Sequence, residues 1–187
     1  MLAFDSFDPS TSTLYASAEE YRHHAVRDTV NLGISLLAVT GVLFAMDNGH
    51  SKYMIGKRAT TTHRYGDLWE FGPCGGIDVP GDSIDGLDFD AVVAELGREA
   101  MEEAGINLAG ISARPVALVH DDLVGSTDIV IRVELPMIPG VRVSWEYSEC
   151  RWISLNELGL WMESNPEAFI PTTIAIAGLL LADGGYD

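Results

Sequence analysis

Residues 30–46, "VNLGISLLAVTGVLFAM", carry no charged side chain, and nothing else in the chain limits the fold as strongly. A run of this kind has to be hidden from water. It falls short of the roughly 20 apolar residues that cross a bilayer as a helix, and it contains Asn31, Thr40 and two glycines. Its β-branched content and the turn signal "DNGH" directly after it predict a buried strand instead, folding back into "KYMIGKR" as a long antiparallel hairpin.

The remaining elements follow from the same patterns. Residues 1 to about 16 read as an arm of low structural content. Ser17 and Glu20 then have the Ser-x-x-Glu spacing of a capping box, which predicts a short helix in "SAEEYRHHAVRDTV". Residues 1–30 are thus expected to be an N-terminal arm and short helix, and residues 31–187 one domain. Within it, "LWEFGPCGGIDVPGD" is a short apolar strand running into a glycine-rich loop. "DFDAVVAELGREAMEEAG" is a helix that stops at Gly105. Three strands, "ARPVALVHDD", "TDIVIRVELPMI" and "CRWISL", precede a helix starting after Ser154 and an apolar C-terminal helix, "PTTIAIAGLLLADGG". Strands around one long central helix make the class α+β with a mixed sheet.

Charge narrows the partners. Eleven Lys and Arg against 28 Asp and Glu leave a net charge of −17, which repels nucleic-acid polymers and anionic membranes. Cys74 and Cys150 lack metal-ligand spacing and read as reduced thiols. The N-terminal "MLAFDSFDPSTSTLY" has acids where a signal peptide has positive charge, so a cytoplasmic location is expected.

Against this acidic background, Glu99, Glu102 and Glu103 stand at i, i+3 and i+4, a spacing that brings them to one helical face, where like charges repel. They either splay into water or share a cation. Hard divalent ions such as Mg²⁺ take carboxylate oxygens while also holding phosphate oxygens, so three glutamates on one turn supply a platform for phosphate chemistry. The preceding "GPCGGID" lets the backbone approach such a platform closely.

"GGIDVPGD" followed by "REAMEEAGI" resembles the signature of the Nudix hydrolases, in which a Gly, five residues on, is followed by Glu, then seven residues later by Arg-Glu-x-x-Glu-Glu-x-Gly and an apolar residue. Arg98, Glu99, Glu102, Glu103, Gly105 and Ile106 fill the second half, and the likeness extends over roughly residues 32–160. It implies a Nudix-like α/β/α sandwich and metal-dependent hydrolysis, with Mg²⁺ or Mn²⁺, of a phosphoanhydride in a small nucleoside diphosphate linked to another group. Glu99, Glu102 and Glu103 become the metal ligands and catalytic residues, Arg98 a structural partner that holds a glutamate, and Gly75 and Gly76 part of the substrate loop. The resemblance also admits a homodimer.

One departure stands out. Five residues on from Gly76 comes Asp82, whereas seven residues back from Arg98 comes Asp90, so "SIDGLDFD" or its equivalent is an eight-residue insertion. Asp82 is expected as the loop acid of the box and Asp90 as the cap of the helix. Outside the box, Glu146 lies six residues before Trp152 of the "RW" pair, where the resemblance implies a general base or further ligand; Asp121, Asp122 and Asp128 compete for that role. Lys52, Lys57, Arg58 and Arg64, with His50 and His63, concentrate positive charge into an anion site, and Arg58 resembles the family's phosphate contact. Trp145 and Tyr147 flank Glu146 and could meet a ligand if their strand faces the cleft. Two other readings share the fold: a non-hydrolytic nucleotide-binding or regulatory module, and an isomerase of the isopentenyl diphosphate type, for which Cys74 in the glycine loop is suggestive.

Overall fold

A computed structural model describes residues 1–30, 32–79, 87–142 and 144–183. The apolar run becomes β3, Leu36–Asp47, and every residue from 37 to 45 is buried. Burial on both faces is why its sequence is continuous rather than alternating. Asn48 and Gly49 both have positive φ, 50° and 84°, as a tight hairpin turn requires, and the chain returns as β4, His50–Arg58. The pairing within this hairpin is shorter than the sequence suggests, four residue pairs from Phe44↔Tyr53 to Asp47↔His50. Beyond the tip the strands part and each recruits other partners.

β3 runs parallel to β8, Ser126–Leu135, from Leu36↔Ser126 to Ala45↔Leu135, and β8 in turn pairs antiparallel with β7, Ala113–Asp121. On its other edge β3 takes β6, Cys74–Gly76. β4 instead pairs antiparallel with β5, Trp69–Phe71, and with β9, Tyr147–Ile153. The sheet is therefore mixed and splits after the tip, which opens the space later occupied by the site.

Helices cover both faces. Leu37, Val39 and Leu43 pack against Val92, Leu96 and Ala100 of α2, Phe89–Glu99, and its continuation. Val42, Phe44, Tyr53 and Ile55 pack against Leu158 and Met162 of α3, Leu155–Ser164, and Ile176 and Leu180 of α4, Pro171–Ala182. The arrangement is the expected α/β/α sandwich. Ser154 caps α3 in a full capping box with Glu157. The glycines expected to stop α4 lie outside the described residues.

The N-terminal segment departs from expectation. In place of an unstructured arm it forms a hairpin, β1 (Leu2–Asp8) with β2 (Thr13–Ala18), attached to the sheet through Ala3↔Leu36 and a hydrogen bond from the Leu2 N–H to the Ile77 carbonyl. Leu2 is buried in the α2-side core, with Phe4, Leu14 and Ala16 packed on it. That alternating apolar pattern gives the hairpin a buried face. Ser17 is consequently a strand residue whose hydroxyl donates to Asp5, and the capping box with Glu20 does not form. The helix α1 spans only Tyr21–Ala25.

Candidate active site

α2 begins at Asp88, whose side chain accepts the Ala91 N–H; Asp90 sits in the first turn and is not the cap. The capping position is thus two residues upstream of the expected one. Asp82 lies outside the described residues. At its other end α2 widens into a π-helical turn, Ala100–Ala104, and stops at Gly105 in the left-handed conformation. Such turns occur mostly as single interruptions of α-helices at functional sites.

The wider winding separates the three glutamates. Glu103 is buried at 3% exposure and Glu99 at 9%, whereas the Glu102 side chain is 58% exposed. They do not share one face equally: Glu99 and Glu103 turn inward and Glu102 outward. Glu103 accepts the Cys74 N–H at 3.1 Å, tying the helix to the glycine-rich loop. At Gly75 a Cβ would stand 2.1 Å from Glu99 Oε1, so only glycine lets that carboxylate sit there. Gly76 pairs with Ala38 and holds the loop to β3. Arg98 donates to Glu95, Glu99 and Glu102 at once, a brace along the outer face of the helix.

The opposite wall is built by β4, β5 and the segment entering β9. Arg58 donates from one terminal nitrogen to Glu70 at 2.7 Å and from the other to Glu146 at 3.3 Å, while its Nε reaches the Arg64 carbonyl. Arg58, Glu70, Glu99, Arg98, Glu146 and the Cys74–Gly76 loop line one cleft of about 770 Å³. The expected open anion site is absent among the described residues: Lys52 pairs with Glu157, Lys57 with Asp67 and Arg64 with Asp28, as Arg58 does with its two glutamates. In a chain this acidic, nearby carboxylates outnumber the cations.

Glu70 was not anticipated from sequence. It is 2% exposed between Trp69 and Phe71. An acid in the middle of a short apolar strand was the available signal, because an ionisable group in such a place is costly without a partner. Burial pushes Glu70 up to about 7 against the opposing pull of Arg58. Burial likewise raises Glu99 to about 7, with Arg98 pulling down and Glu95, Glu102 and Glu146 pushing up. Glu103 is raised further by burial and by the charges of Glu146 and Glu70.

The competing acids have other surroundings. Asp121 accepts from the Tyr65 hydroxyl and from the N–H groups of Leu123 and Val124, shaping the β7–β8 turn. Asp122 is almost fully exposed. Asp128 lines the same cleft and accepts from the Thr40 hydroxyl, on the strand that pairs with the Cys74–Gly76 loop. Tyr147 is wholly buried, so only Trp145 of the pair flanking Glu146 faces the cleft.

No group of three or more His, Cys, Asp or Glu side chains is set to hold a metal ion among the described residues. The donor chemistry nevertheless fits Mg²⁺ or Mn²⁺: Glu99, Glu103 and Glu146 offer oxygen only, and burial, with neighbouring carboxylates adding to it, disfavours the anions of Glu99 and Glu103, a penalty that a cation would offset. No helix of the described residues is long and apolar enough to cross a membrane.

No family model and no curated protein matches this sequence. Solved structures do. The chain is similar to the NUDIX domain of Shewanella oneidensis NrtR complexed with ADP ribose, at 17% identity and a TM-score of 0.60, covering 89% of this chain and 99% of that one. It is also similar to a NUDIX hydrolase from Alicyclobacillus acidocaldarius, at 16% identity and a TM-score of 0.64, covering 79% and 91%. A C. elegans Ap4A hydrolase matches at 15% identity and a TM-score of 0.54, covering 79% and 96%. Likeness of shape at these identities speaks for architecture, and the architecture of this chain is the Nudix fold.

Proposed function

We propose that the protein is a Nudix-type pyrophosphohydrolase that cleaves a phosphoanhydride in a nucleoside diphosphate linked to a second group, with Mg²⁺ or Mn²⁺. The observation that carries this reading is the gathering of Glu70, Glu99 and Glu146 around the Gly75–Gly76 loop in one cleft, with the buried Glu103 bonded to that loop through the Cys74 N–H and with Arg58 and Arg98 as braces. Such a concentration of partly buried acid is costly unless it serves a ligand. The ADP ribose bound by the NrtR domain and the Ap4A hydrolase named among the similar structures support a dinucleotide-like diphosphate as substrate.

In this reading Glu99 and Glu103 hold the cation, joined by Glu102 if it exchanges Arg98 for metal. When bound, the ion neutralises developing charge on phosphate oxygens and raises the acidity of water. Glu146, held by Arg58, takes the proton from the attacking water as the new O–P bond forms and the bridging P–O bond breaks. Arg58 fixes Glu146 and adds positive charge beside the phosphates. Gly75 and Gly76 let those phosphates approach the backbone, and Arg98 fixes the orientation of Glu99.

A panel of ADP-ribose, dinucleoside polyphosphates, NADH, nucleotide sugars and nucleoside triphosphates, each with Mg²⁺ and Mn²⁺, tests the proposal through release of phosphate or nucleoside monophosphate. Release by the wild type and not by Glu103→Gln supports it. Among the described residues no three His, Cys, Asp or Glu side chains are preset for a metal, which favours a second reading, a nucleotide-binding module without turnover. Calorimetric binding of the same compounds with no release would establish that one instead.

A further inference from the structure

α4 is apolar on every side, yet only one side of it is buried. Ile176, Ala177 and Leu180 pack on the sheet, whereas Ile174, Ala175, Gly178, Leu179, Leu181 and Ala182 are exposed. That outward face has no polar side chain, and no charged residue occurs anywhere from 168 to 182. A helix that is apolar all round is normally enclosed all round. α3 carries the face further. Leu160 is 66% exposed, against 46% for Leu179 and 40% for Leu181, and the two helices touch beside it, where a Cβ on Gly159 would stand 3.3 Å from Leu181 Cδ1.

Gly178 lies at the middle of this face. Glycine inside a helix weakens it relative to alanine, and packing within the chain does not call for it here: outside the helix itself, no described atom comes within 4 Å of the place a Cβ would take. What the missing side chain permits is close approach by something outside the molecule. Without charge or hydrogen-bonding groups the face offers a foreign partner nothing polar to recognise, and what remains is a pattern of sizes. That pattern complements itself. In an antiparallel pair of α4 helices centred on Gly178, Ile174 comes level with the partner's Ala182, and Leu181 level with the partner's Ala175, so large side chains meet small ones. Charge selects the same face. Two copies at −17 each repel, and they do so least where neither presents an ion.

We propose that the outward face of α4, with Leu160 of α3, is where two copies of this chain associate, their α4 helices antiparallel about a two-fold axis near Gly178. About 18 Å of α4 and two helices each about 10 Å wide make a face on the order of 400 Å². That is about half of what a standard interface buries on each partner, so a concentration-dependent dimer in the micromolar range is expected. The association does not depend on the reaction assigned to the cleft.

Sedimentation equilibrium of the full chain from about 1 to 100 μM should show a monomer passing to a species of twice its mass. The dimer should tighten as salt rises, because screening relieves the repulsion between copies. Leu179→Glu places like charges at the contact and should weaken association at least about tenfold. Gly178→Leu separates two simple outcomes. It adds apolar surface, so non-specific stickiness would strengthen association, whereas a close contact of helices would be weakened by a similar factor. Unfolding midpoints at about 1 μM, where the chain is monomeric, check that both variants are folded, and Gly178→Leu should raise its own. A wild type that stays monomeric at every concentration and salt, a dimer that Leu179→Glu leaves intact, or one that Gly178→Leu strengthens would each overturn the proposal.

Discussion

Glu157 on α3 and Glu103 at the end of α2 are chemically the same residue in helices that flank one sheet, and they are placed in opposite ways. Glu157 is in the first turn of α3, bonded to Ser154 and paired with Lys52; the Ser154 hydroxyl and N–H, then Lys52, lower it to about 2. Glu103 is buried in a π-helical turn beside other carboxylates, and burial raises it. One acid is content as an anion and strengthens its helix; the other is held where an anion is unfavourable without a cation. The α3 side of the sandwich is built for stability, and the α2 side surrenders some of it to keep a cluster of buried carboxylates.

The largest test of that contrast is Glu103→Gln. Hydrolysis should fall by about 10²–10³, the scale for removing one group that stabilises a transition state. The unfolding midpoint at pH 7.5 should stay level or rise, because the folded protein no longer has to hold a buried carboxyl in its protonated form; a clear fall would mean that Glu103 is structural.

Next in size is the pH dependence of stability in chelator. Glu70 and Glu99 are raised from 4.5 to about 7 in the folded protein. A carboxyl raised on folding contributes stability fully below its unfolded value and loses it as pH rises through the folded one. Calorimetric scans should therefore show stability falling by a few kcal/mol between about pH 4.5 and 7. Mg²⁺ at pH 7.5 should restore part of it, and Glu99→Gln should flatten the slope. A slope of the opposite sign would break the comparison.

The smallest effect belongs to the α3 side. Ser154→Ala should cost about 1 kcal/mol in chemical denaturation, the usual value of such a cap, with hydrolysis unaffected. Loss of activity there would mean that the two sides are coupled.

Legibility in sequence divides along similar lines. β3 with its turn, α2 with its stop at Gly105, and the capped start of α3 were readable because local signals and burial agreed. The N-terminal hairpin was not, although Leu2, Phe4, Leu14 and Ala16 carry an alternating apolar pattern. "DPST" and "STST" obscured it, and a strand that gains its stability from a core elsewhere has a weak signal of its own. In the site, Glu99, Glu103 and Glu146 were visible as acids of a pattern, while Glu70 was hidden in an apolar strand and Asp90 was displaced as cap by Asp88.

By itself the sequence determined a mixed-sheet α+β domain around one buried strand, and a helix whose glutamates face a glycine-rich loop. Periodicity, turn residues and spacing are local quantities, and the chain carries them directly. Only the tertiary structure decided which glutamates turn inward, that Arg58 braces Glu70 and Glu146 instead of lying open, and that Trp145 faces the cleft while Tyr147 is buried. Burial and the arrangement of charges are set by segments distant in sequence, brought together when β3 and β4 part company and the sheet opens into a cleft.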